Sequence, residues 1–293
     1  MKDYSMFEKT DAVFSGSEKK HEILISGQRY IVKFQKNSEV GLTMSHVCEY
    51  LGSHIFQLLG IEAQQTFLGT CEGRNVVVMK NFLDKNEIFV AFNGVGESTL
   101  EREKELYQYT YDDICAMLEE NTKLTNVQQT VDRFCDMFIV DALIGNFDRH
   151  GSNWGFIKKE NKYRIAPVFD NGSCLYPRIN NDQKILDILN DESEILKRIY
   201  QFPRSHIKVK GRKSSYFEVI DSLQFEQCNK ALKRIVPKVH LDDLFRLIDS
   251  VECISDLQKE FYKTMIRMRF ELILNHSYKK LQEKDNETSI RTL

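Results

Sequence analysis

Two short polar segments, 144–153 and 166–172, hold the residue types best suited to chemistry in this 293-residue chain. The first contains Asp148 and, five residues later, Asn153, and the second contains Asp170. This set suits phosphoryl transfer, because one aspartate orients a hydroxyl and accepts its proton while an amide and a second carboxylate hold Mg²⁺ through hard oxygen ligands. We therefore predict that Asp148, Asn153 and Asp170 belong to a phosphoryl-transfer site.

The spacing D-x-x-x-x-N carries little weight by itself. It is expected about once by chance in a chain of this length and ordinary composition, and Asp141 with Asn146 matches it as well. A second aspartate, placed after a short β-hairpin in a D-N-G turn, strengthens the phosphoryl-transfer interpretation. The competing interpretation is structural: Asp148, His150 and Asn153 would only cap a turn between a helix and a hairpin.

A lysine and a glutamate far upstream fit the same chemistry. Lys33 lies in the β-type run 30–34, which resembles the lysine strand of protein kinases, whose lysine contacts the α- and β-phosphates of ATP. Glu49 follows sixteen residues later in a predicted helix, where it could form an ion pair with Lys33. Each of these two residues, considered alone, could be an ordinary surface charge. When they are considered together with the aspartates, an ion pair between Lys33 and Glu49 is the favoured interpretation.

Two further segments are candidates for nucleotide contacts. Segment 15–20, with a glycine, two serines and two lysines, offers backbone N–H groups and ammonium groups that could cradle phosphates, although a plain polar loop would look the same. Segment 79–84 joins a strand-rich part to a helical part, where a kinase hinge would bind adenine. The candidate contacts are Ser15, Gly16, Ser17, Lys19 and Lys20 in the first segment and Met79, Lys80 and Phe82 in the second.

The first eighty residues read as strands with one helix. Segments 22–25 and 30–34 flank a Ser-Gly-Gln turn and predict a β-hairpin. Apolar residues recur at helical spacing over 43–59, and the glycine that follows predicts the end of that helix. The segments 61–69 and 76–79 are typical of further strands, the second of them buried.

The rest of the chain is mainly helical. The segments with helical periodicity and charged outer faces are 111–120, 127–144, 183–200, 225–236 and 255–280. A small hairpin is predicted over 154–165, and the polar residues from 282 onward are expected to fray. We predict an α+β, two-lobed, protein-kinase-like fold with a small β-rich N-lobe at 1–82, carrying one key helix, and a larger helical C-lobe at 83–293.

Composition narrows the classes of function. The chain is 42% hydrophobic and 29% charged, which suits a packed globular protein. Its 41 Lys and Arg against 43 Asp and Glu leave a net charge of −2, without the positive excess of a dedicated nucleic-acid binder. The seven scattered cysteines form no C-x-x-C pair and read as reduced thiols. No apolar run predicts a signal peptide or a transmembrane segment, so we expect a cytoplasmic protein as synthesised.

One locally basic segment stands apart. Residues 204–213 carry five cationic side chains and a histidine, and a solvated loop is the favoured interpretation. The functional alternative is docking of an acidic partner, a phosphoinositide head group or a nucleic acid. Ser214 and Ser215 lie next to this segment and are plausible autophosphorylation sites.

The motifs carry a resemblance to a known family. Segment 146–153 resembles the N-x-D-x-H-x-x-N catalytic loop of HipA-type serine/threonine kinases, and 166–170 resembles their A-P-x-[YF]-D metal motif. Segment 15–20 is similar to the S-G-x-x-x-K phosphate loop of the family, and Glu49 with Tyr50 is similar to its helical E-Y pair. The resemblance spans most of residues 13–180; beyond them a helical C-lobe is shared in outline.

The resemblance implies a kinase that uses ATP and Mg²⁺, autophosphorylates, and acts on a protein substrate with a Ser or Thr acceptor. In this family pattern, Asp148 would be the base, and Asn153 and Asp170 would be the metal ligands. Lys33 and the residues of segment 15–20 would contact the phosphates of ATP. Glu49 and His150 would also belong to the ATP site. Because the chain begins almost at the phosphate loop, it is similar to short stand-alone members of the family. We therefore expect no DNA binding of its own, and the resemblance allows translocation into host cells without a cleaved signal.

Two alternatives remain open. Asp148, Arg149 and His150 are also similar to the D-R-H-x-x-N motif of phosphoinositide kinases, although 171–182 offers Arg178 as its single basic residue. The other alternative is an ATP-binding interaction module without catalysis, which the complete set of polar site residues argues against.

Overall fold

A computed structural model describes most of the chain. The described residues are 1–12, 19–39, 41–93, 126–209 and 212–291. The predicted phosphate-loop residues Ser15, Gly16 and Ser17, the predicted helix 111–120 and Lys210 of the basic segment lie outside the described residues.

One five-stranded sheet forms the N-terminal part. Its strands are β1 (Lys2–Asp3), β2 (Lys20–Ile25), β3 (Gln28–Phe34), β6 (Thr66–Cys71) and β7 (Arg74–Lys80). They lie in the order β1, β6, β7, β3, β2, with β1 parallel to β6 and the other neighbours antiparallel. Val32 and Phe34 of β3 are buried in a small core on one face of this sheet. Because side chains alternate along a strand, Lys33 points to the opposite face.

Helix α1 (Ser45–Leu58) crosses that opposite face, after a short ribbon of β4 (Asn37–Ser38) and β5 (Gly41–Leu42). Its apolar stripe lies in the larger core of the protein, which also contains the C-terminal helices. Gly60 follows the helix with φ +78°, a conformation that glycine adopts readily. The predicted helix and its glycine stop are confirmed.

The C-terminal part is mostly helical around one small sheet. Its elements are β8 (Ile88–Ala91), α2 (Val127–Ile144), β9 (Gly155–Lys159), β10 (Lys162–Ile165), α3 (Asp182–Leu189), α4 (Glu192–Tyr200), β11 (Arg204–Val209), β12 (Arg212–Ser215), α5 (Tyr216–Asp221), α6 (Glu226–Ile235), α7 (Leu241–Asp249), α8 (Asp256–Arg269) and α9 (His276–Arg291), with a π-helical segment Phe270–Asn275 between the last two. The predicted hairpin, now β9 and β10, is joined by β8 into a three-stranded sheet. A sheet-rich first part and a helical second part confirm the predicted α+β class.

Three local predictions are wrong. The helix predicted over 183–200 is two helices, because the Asp191 carboxylate accepts the Ser193 N–H at 2.8 Å and starts α4 with a new N-cap. The basic segment is no loop: β11 and β12 pair as a hairpin, since its apolar residues alternate with charged ones in a β-type pattern. The tail after 282 continues as α9 to Arg291, because it extends a packed helix in which Leu281 is buried and Asp285 pairs with Lys233 at 2.5 Å.

Helix α7 and strand β8 were not predicted at all. Among the described helices, none combines the length and the apolar character needed to cross a membrane.

Candidate active site

Lys33 lies where the two parts of the molecule meet. Its ammonium is 3.3 Å from Asp170 Oδ1 and 3.8 Å from Glu49 Oε2, and the side chain is only 12% exposed. Burial opposes the charge on this ammonium, but the two carboxylates outweigh burial and raise the pKa of Lys33. The structure thus brings together three predicted site residues that lie far apart in the sequence.

Glu49 does more than pair with the lysine. Its buried carboxylate accepts the backbone N–H groups of Asn171 at 2.8 Å and Gly172 at 3.0 Å, both shorter contacts than the one to Lys33. Burial raises the pKa of Glu49, while Lys33 opposes the shift. A Cβ on Gly172 would lie 3.3 Å from Glu49 Oε2, so a glycine lets the turn approach the helix. The sequence predicted Glu49 as an ion-pair partner and missed this second role, which fixes the turn after Asp170.

Asp170 stands at the end of a strongly held segment. Val168 and the segment that follows α1 exchange backbone hydrogen bonds: Gln64 N–H donates to Val168 O at 2.8 Å, and Val168 N–H donates to Glu62 O at 2.9 Å. Asp170 itself has φ +56°, a left-handed conformation that is uncommon outside glycine. Burial would raise the pKa of Asp170, but the charges of Lys33 and Arg149 lower it, so the carboxylate stays ionised.

The catalytic-loop candidate starts where α2 ends. Gly145 caps α2 with φ +63°, and its N–H binds Asp141 O, which turns the chain toward Asp148. The Asp148 N–H donates to Asn146 Oδ1 at 3.1 Å, and the Asn153 amide N–H donates to Asp148 O at 2.8 Å. These bonds fix the backbone of Asp148 and leave its side chain 42% exposed.

The ring of His150 lies beside the side chain of Asp148. His150 Nε2 lies 3.8 Å from Asp148 Oδ1, while its Nδ1 accepts the Ser152 N–H at 3.2 Å. A neutral ring in this arrangement carries its proton on Nε2, on the side of the Asp148 carboxylate. The sequence predicted His150 as a nucleotide contact; the structure places it beside Asp148, the predicted base.

Arg149 is the buried centre that sequence reasoning missed. Its guanidinium donates from Nε to Asp141 Oδ2 at 2.9 Å, from Nη2 to Asp141 Oδ1 at 3.1 Å, and from Nη1 to Asn153 O at 2.9 Å. Further bonds reach Phe169 O and Asn171 Oδ1. One side chain therefore joins α2, the Asp148 loop and the Asp170 turn. The available signal was Asp141, a carboxylate in an otherwise apolar helical run.

The two lysines of the predicted phosphate loop separate. Lys20 pairs directly with Lys33 across β2 and β3, so both side chains lie on the same face of the sheet. Lys19 has the opposite orientation: its ammonium lies 3.5 Å from Glu72 Oε2 and 4.8 Å from the Phe34 ring centroid. The structure brings Lys20 toward the site and takes Lys19 away from it.

The predicted hinge is mostly committed to internal hydrogen bonds. Lys80 N–H donates to Gln65 O and Lys80 O accepts from Gln64 Nε2, while Met79 is a buried strand residue. Phe82, which follows, makes no hydrogen bond to a described residue through its N–H. Its ring lies 5.6 Å from the Phe169 ring. Among the three predicted hinge contacts, Phe82 is thus the one with a donor to offer.

Both predicted acceptor serines beside the basic hairpin are buried. Ser215 Oγ caps α5 by accepting the Glu218 N–H at 3.1 Å, in a reciprocal capping box. Ser214 is 3% exposed. The prediction that these hydroxyls accept phosphate conflicts with this packing, because a kinase must reach its acceptor.

No group of three or more His, Cys, Asp or Glu side chains that could hold a metal ion occurs within the described ranges. The site instead offers single oxygen donors from two loops, which fits a cation that completes its shell with phosphate oxygens and water.

A two-part fold with a strand lysine and two aspartate loops defines a kinase fold. The HipA-like C-terminal domain family matches residues 12–240, so the chain belongs to this family. The predicted resemblance to HipA-type kinases is confirmed.

Individual relatives agree with that class. The chain is 33% identical over 263 residues to the serine/threonine-protein kinase CtkA of Helicobacter pylori, covering 87% of this chain and 80% of that protein. The crystal structure of the proinflammatory kinase CtkA from the same species has a TM-score of 0.89 at 31% identity, covering 96% of this chain and 97% of that one. HipA, solved with HipB and operator DNA from Shewanella oneidensis, has a TM-score of 0.61 at 13% identity, over 92% of this chain and 67% of that one, and shows likeness of fold alone.

Proposed function

We propose that this chain, a HipA-like serine/threonine kinase by family and fold, transfers the γ-phosphoryl group of ATP to Ser or Thr hydroxyls of a protein in a Mg²⁺-dependent reaction. The observation that carries the proposal is the 3.3 Å contact between Lys33 and Asp170, which joins a strand of the first part to a loop of the second. The α+β kinase fold requires this juxtaposition for a nucleotide between the two parts.

Asp170 and Asn153 would hold the cation. Asp170 is ionised and partly exposed, and the amide group of Asn153 is oriented because its N–H side binds Asp148 O. ATP with Mg²⁺ supplies, when bound, the transferable phosphoryl group and the charge that neutralises it. Lys33 contributes a buried ammonium for phosphate oxygens, and Lys20 a second one from the same sheet face.

Asp148 would accept the proton of the substrate hydroxyl. Its backbone is fixed from both sides while its carboxylate is open to a substrate, which suits a general base. His150 Nε2 lies 3.8 Å from this carboxylate, close enough to influence its charge when a substrate binds. Phe82, Phe89 and Phe169, whose rings lie 5.1 to 6.2 Å apart, form an apolar wall next to Asp170 that suits an adenine ring.

Phosphate transfer from radiolabelled ATP tests the proposal. Wild-type protein with Mg²⁺ should label itself or a general protein substrate such as casein, and liposomes containing phosphoinositides should remain unlabelled. Lys33→Met and Asp170→Asn should lower transfer by about 10³-fold or more. The matched control is Lys36→Met, an exposed lysine three residues beyond Lys33. Nucleotide binding without turnover by the wild type would instead support the non-catalytic alternative.

Mass spectrometry after incubation with MgATP would locate any acceptor within the chain. We propose Ser15 and Ser17 over Ser214 and Ser215, since both of the latter are buried. Phosphate on Ser215 in folded protein would contradict this order.

We also propose that the kinase acts outside the producing cell, on the basis of its similarity to a kinase described as proinflammatory. Detection of the uncleaved chain in culture supernatant, with a cytoplasmic marker retained in the cells, would support export. Its confinement to the cell pellet would contradict export.

A further inference from the structure

Two phenylalanine rings lie together next to the catalytic aspartate. Phe147 precedes Asp148 in the chain, and its ring centroid is 5.7 Å from that of Phe202, with 35° between the ring planes. Phe202 is 48% exposed, although a phenylalanine is usually buried. The kinase chemistry described above uses neither ring.

The Phe202 end of this pair rests on a rigid base. The Phe202 N–H donates to Lys197 O at 3.0 Å, and Phe202 O accepts from the hydroxyl of the buried Tyr176 at 3.3 Å. Tyr176 in turn receives a bond from the fully buried Arg269, which also binds Ala142 O. An exposed aromatic ring on an ordered base is the usual form of an anchor for a binding partner, because little conformational entropy is lost on contact.

The position of the pair identifies what it would contact. Consecutive Cα atoms are about 3.8 Å apart, and an extended peptide advances about 3.3 to 3.6 Å per residue. Because Phe147 precedes Asp148 directly, its ring is within reach of a peptide residue about three positions from a hydroxyl at Asp148, and Phe202 extends that apolar surface from a ring centroid 5.7 Å away. Arg178 and Arg204 are exposed. Arg178 follows Tyr176 by two residues in the chain, and Arg204 follows Phe202 by two residues.

We propose that Phe147 and Phe202 form a specificity site that selects a bulky apolar side chain within three residues of the acceptor Ser or Thr. The occupant is a segment of the protein substrate, and the site is continuous with the catalytic loop through Phe147. Charge complementarity with Arg178 and Arg204 favours an acidic residue further along the same segment. This inference rests on the proposed kinase activity and adds the class of peptide that the enzyme prefers.

A positional peptide set tests the preference. Each peptide carries one Ser in an Ala and Gly background, with Ala, Leu, Phe, Glu or Lys placed singly from three residues before to three residues after it. For the wild type, Leu or Phe at one or more positions should raise kcat/KM about tenfold over Ala, the ratio that about 1.4 kcal/mol of apolar contact produces. Phe202→Ala should reduce this ratio below about twofold.

Matched variants separate specificity from general damage. Phe202→Leu keeps apolar area and should retain most of the preference. Phe67→Ala removes another exposed phenylalanine, 43% exposed on the N-terminal sheet, and should leave the preference intact. Arg204→Glu should shift the preference at outer positions from Glu toward Lys.

The outcomes distinguish this inference from the proposed function. Equal kcat/KM for Ala, Leu and Phe at every position, with Asp148-dependent transfer still present, would overturn the specificity site alone. An unchanged preference in Phe202→Ala would overturn the assignment of the two rings. Absence of transfer to every peptide and to casein would overturn the kinase proposal and the specificity site together.

Discussion

Two copies of the same sequence pattern lie seven residues apart in this protein, and the fold uses them in opposite ways. Asp141 and Asn146 form the first D-x-x-x-x-N, and Asp148 and Asn153 form the second. In the first, both side chains are buried and Asn146 Nδ2 donates to Asp141 Oδ1 at 3.0 Å. In the second, Asn153 binds the backbone of Asp148 and leaves its carboxylate exposed.

The difference is one of surroundings. Asp141 meets a guanidinium that is itself buried, so its charge is matched inside the protein. Asp148 lies on a loop with its side chain 42% exposed, so its charge faces solvent as well as protein. Arg149 connects the two patterns, because it follows Asp148 in the chain and binds the Asp141 side chain. The buried pattern therefore holds the geometry in which the exposed pattern would act.

The largest expected effect comes from the exposed member. Asp148→Asn keeps the shape and removes the proton acceptor, so the rate of phosphoryl transfer should fall by about 10³- to 10⁴-fold. Because the carboxylate is exposed, the free energy of unfolding should change by less than about 0.5 kcal/mol. Initial rates with radiolabelled ATP and urea unfolding measure the two quantities. Full transfer by this variant would remove Asp148 from the mechanism.

The same substitution at Asp141, the buried aspartate, should have a large effect on the free energy of unfolding. Asp141→Asn leaves the buried Arg149 without its carboxylate, and breaking such a pair costs about 3 to 5 kcal/mol of stability. Urea unfolding should show this loss directly, with Asp148→Asn as the isosteric control. Equal stability of the two variants would break the comparison, because Asp141 would then not be a structural residue.

The comparison between buried and exposed groups extends to acid sensitivity. His46 in α1 is buried, its two ring nitrogens have no hydrogen-bond partner among the described residues, and burial lowers its pKa to about 4. Because the folded protein holds this ring in its neutral form, the neutral ring favours the folded state. This contribution to the free energy of unfolding is complete above about pH 6.5 and is lost as the pH falls toward 4. Between pH 7.5 and pH 5, the wild type should lose about 2 kcal/mol more than His46→Leu. Parallel losses in urea titrations at both pH values would show that His46 is not a source of acid sensitivity.

Lys19 and Lys20 repeat the comparison at adjacent positions. Lys20 shares the sheet face of Lys33, so Lys20→Met should raise KM for ATP about tenfold, as expected for loss of about 1.4 kcal/mol. Lys19 already pairs with Glu72 on the other side, and Lys19→Met should change KM by less than about twofold. Steady-state kinetics at varied ATP checks both. A larger effect for Lys19 would reverse the assignment of the two faces.

The sequence predicted the parts of the fold that have strong local signals. Helix α1 has apolar residues at regular spacing and a glycine that ends it, and α2 was predicted over its observed length for the same reason. Helices α3 and α4 were merged, because the cap at Asp191 lies within an unbroken helical periodicity. Strand β8 is short, and its pairing with β9 is a contact between distant segments that periodicity does not report.

For the candidate site, residue types and motif order identified Lys33, Asp148, Asn153 and Asp170, because each kind of chemistry needs a particular side chain. The sequence treated Arg149 as part of a motif and Glu49 as a partner of Lys33. The hydrogen bonds of Glu49 to the turn after Asp170 span more than 120 residues, and no local pattern encodes them.

The sequence by itself determined the chemistry that is available: two aspartates, an asparagine and a lysine in the order of a HipA-like kinase, on strands and helices set by local periodicity. The tertiary structure alone decided which of two identical spacings is buried, which of two adjacent lysines faces the site, and which distant ring packs on the phenylalanine that precedes Asp148. The physical reason is that burial and electrostatic pairing depend on segments distant in the chain, so identical local patterns acquire different properties after folding.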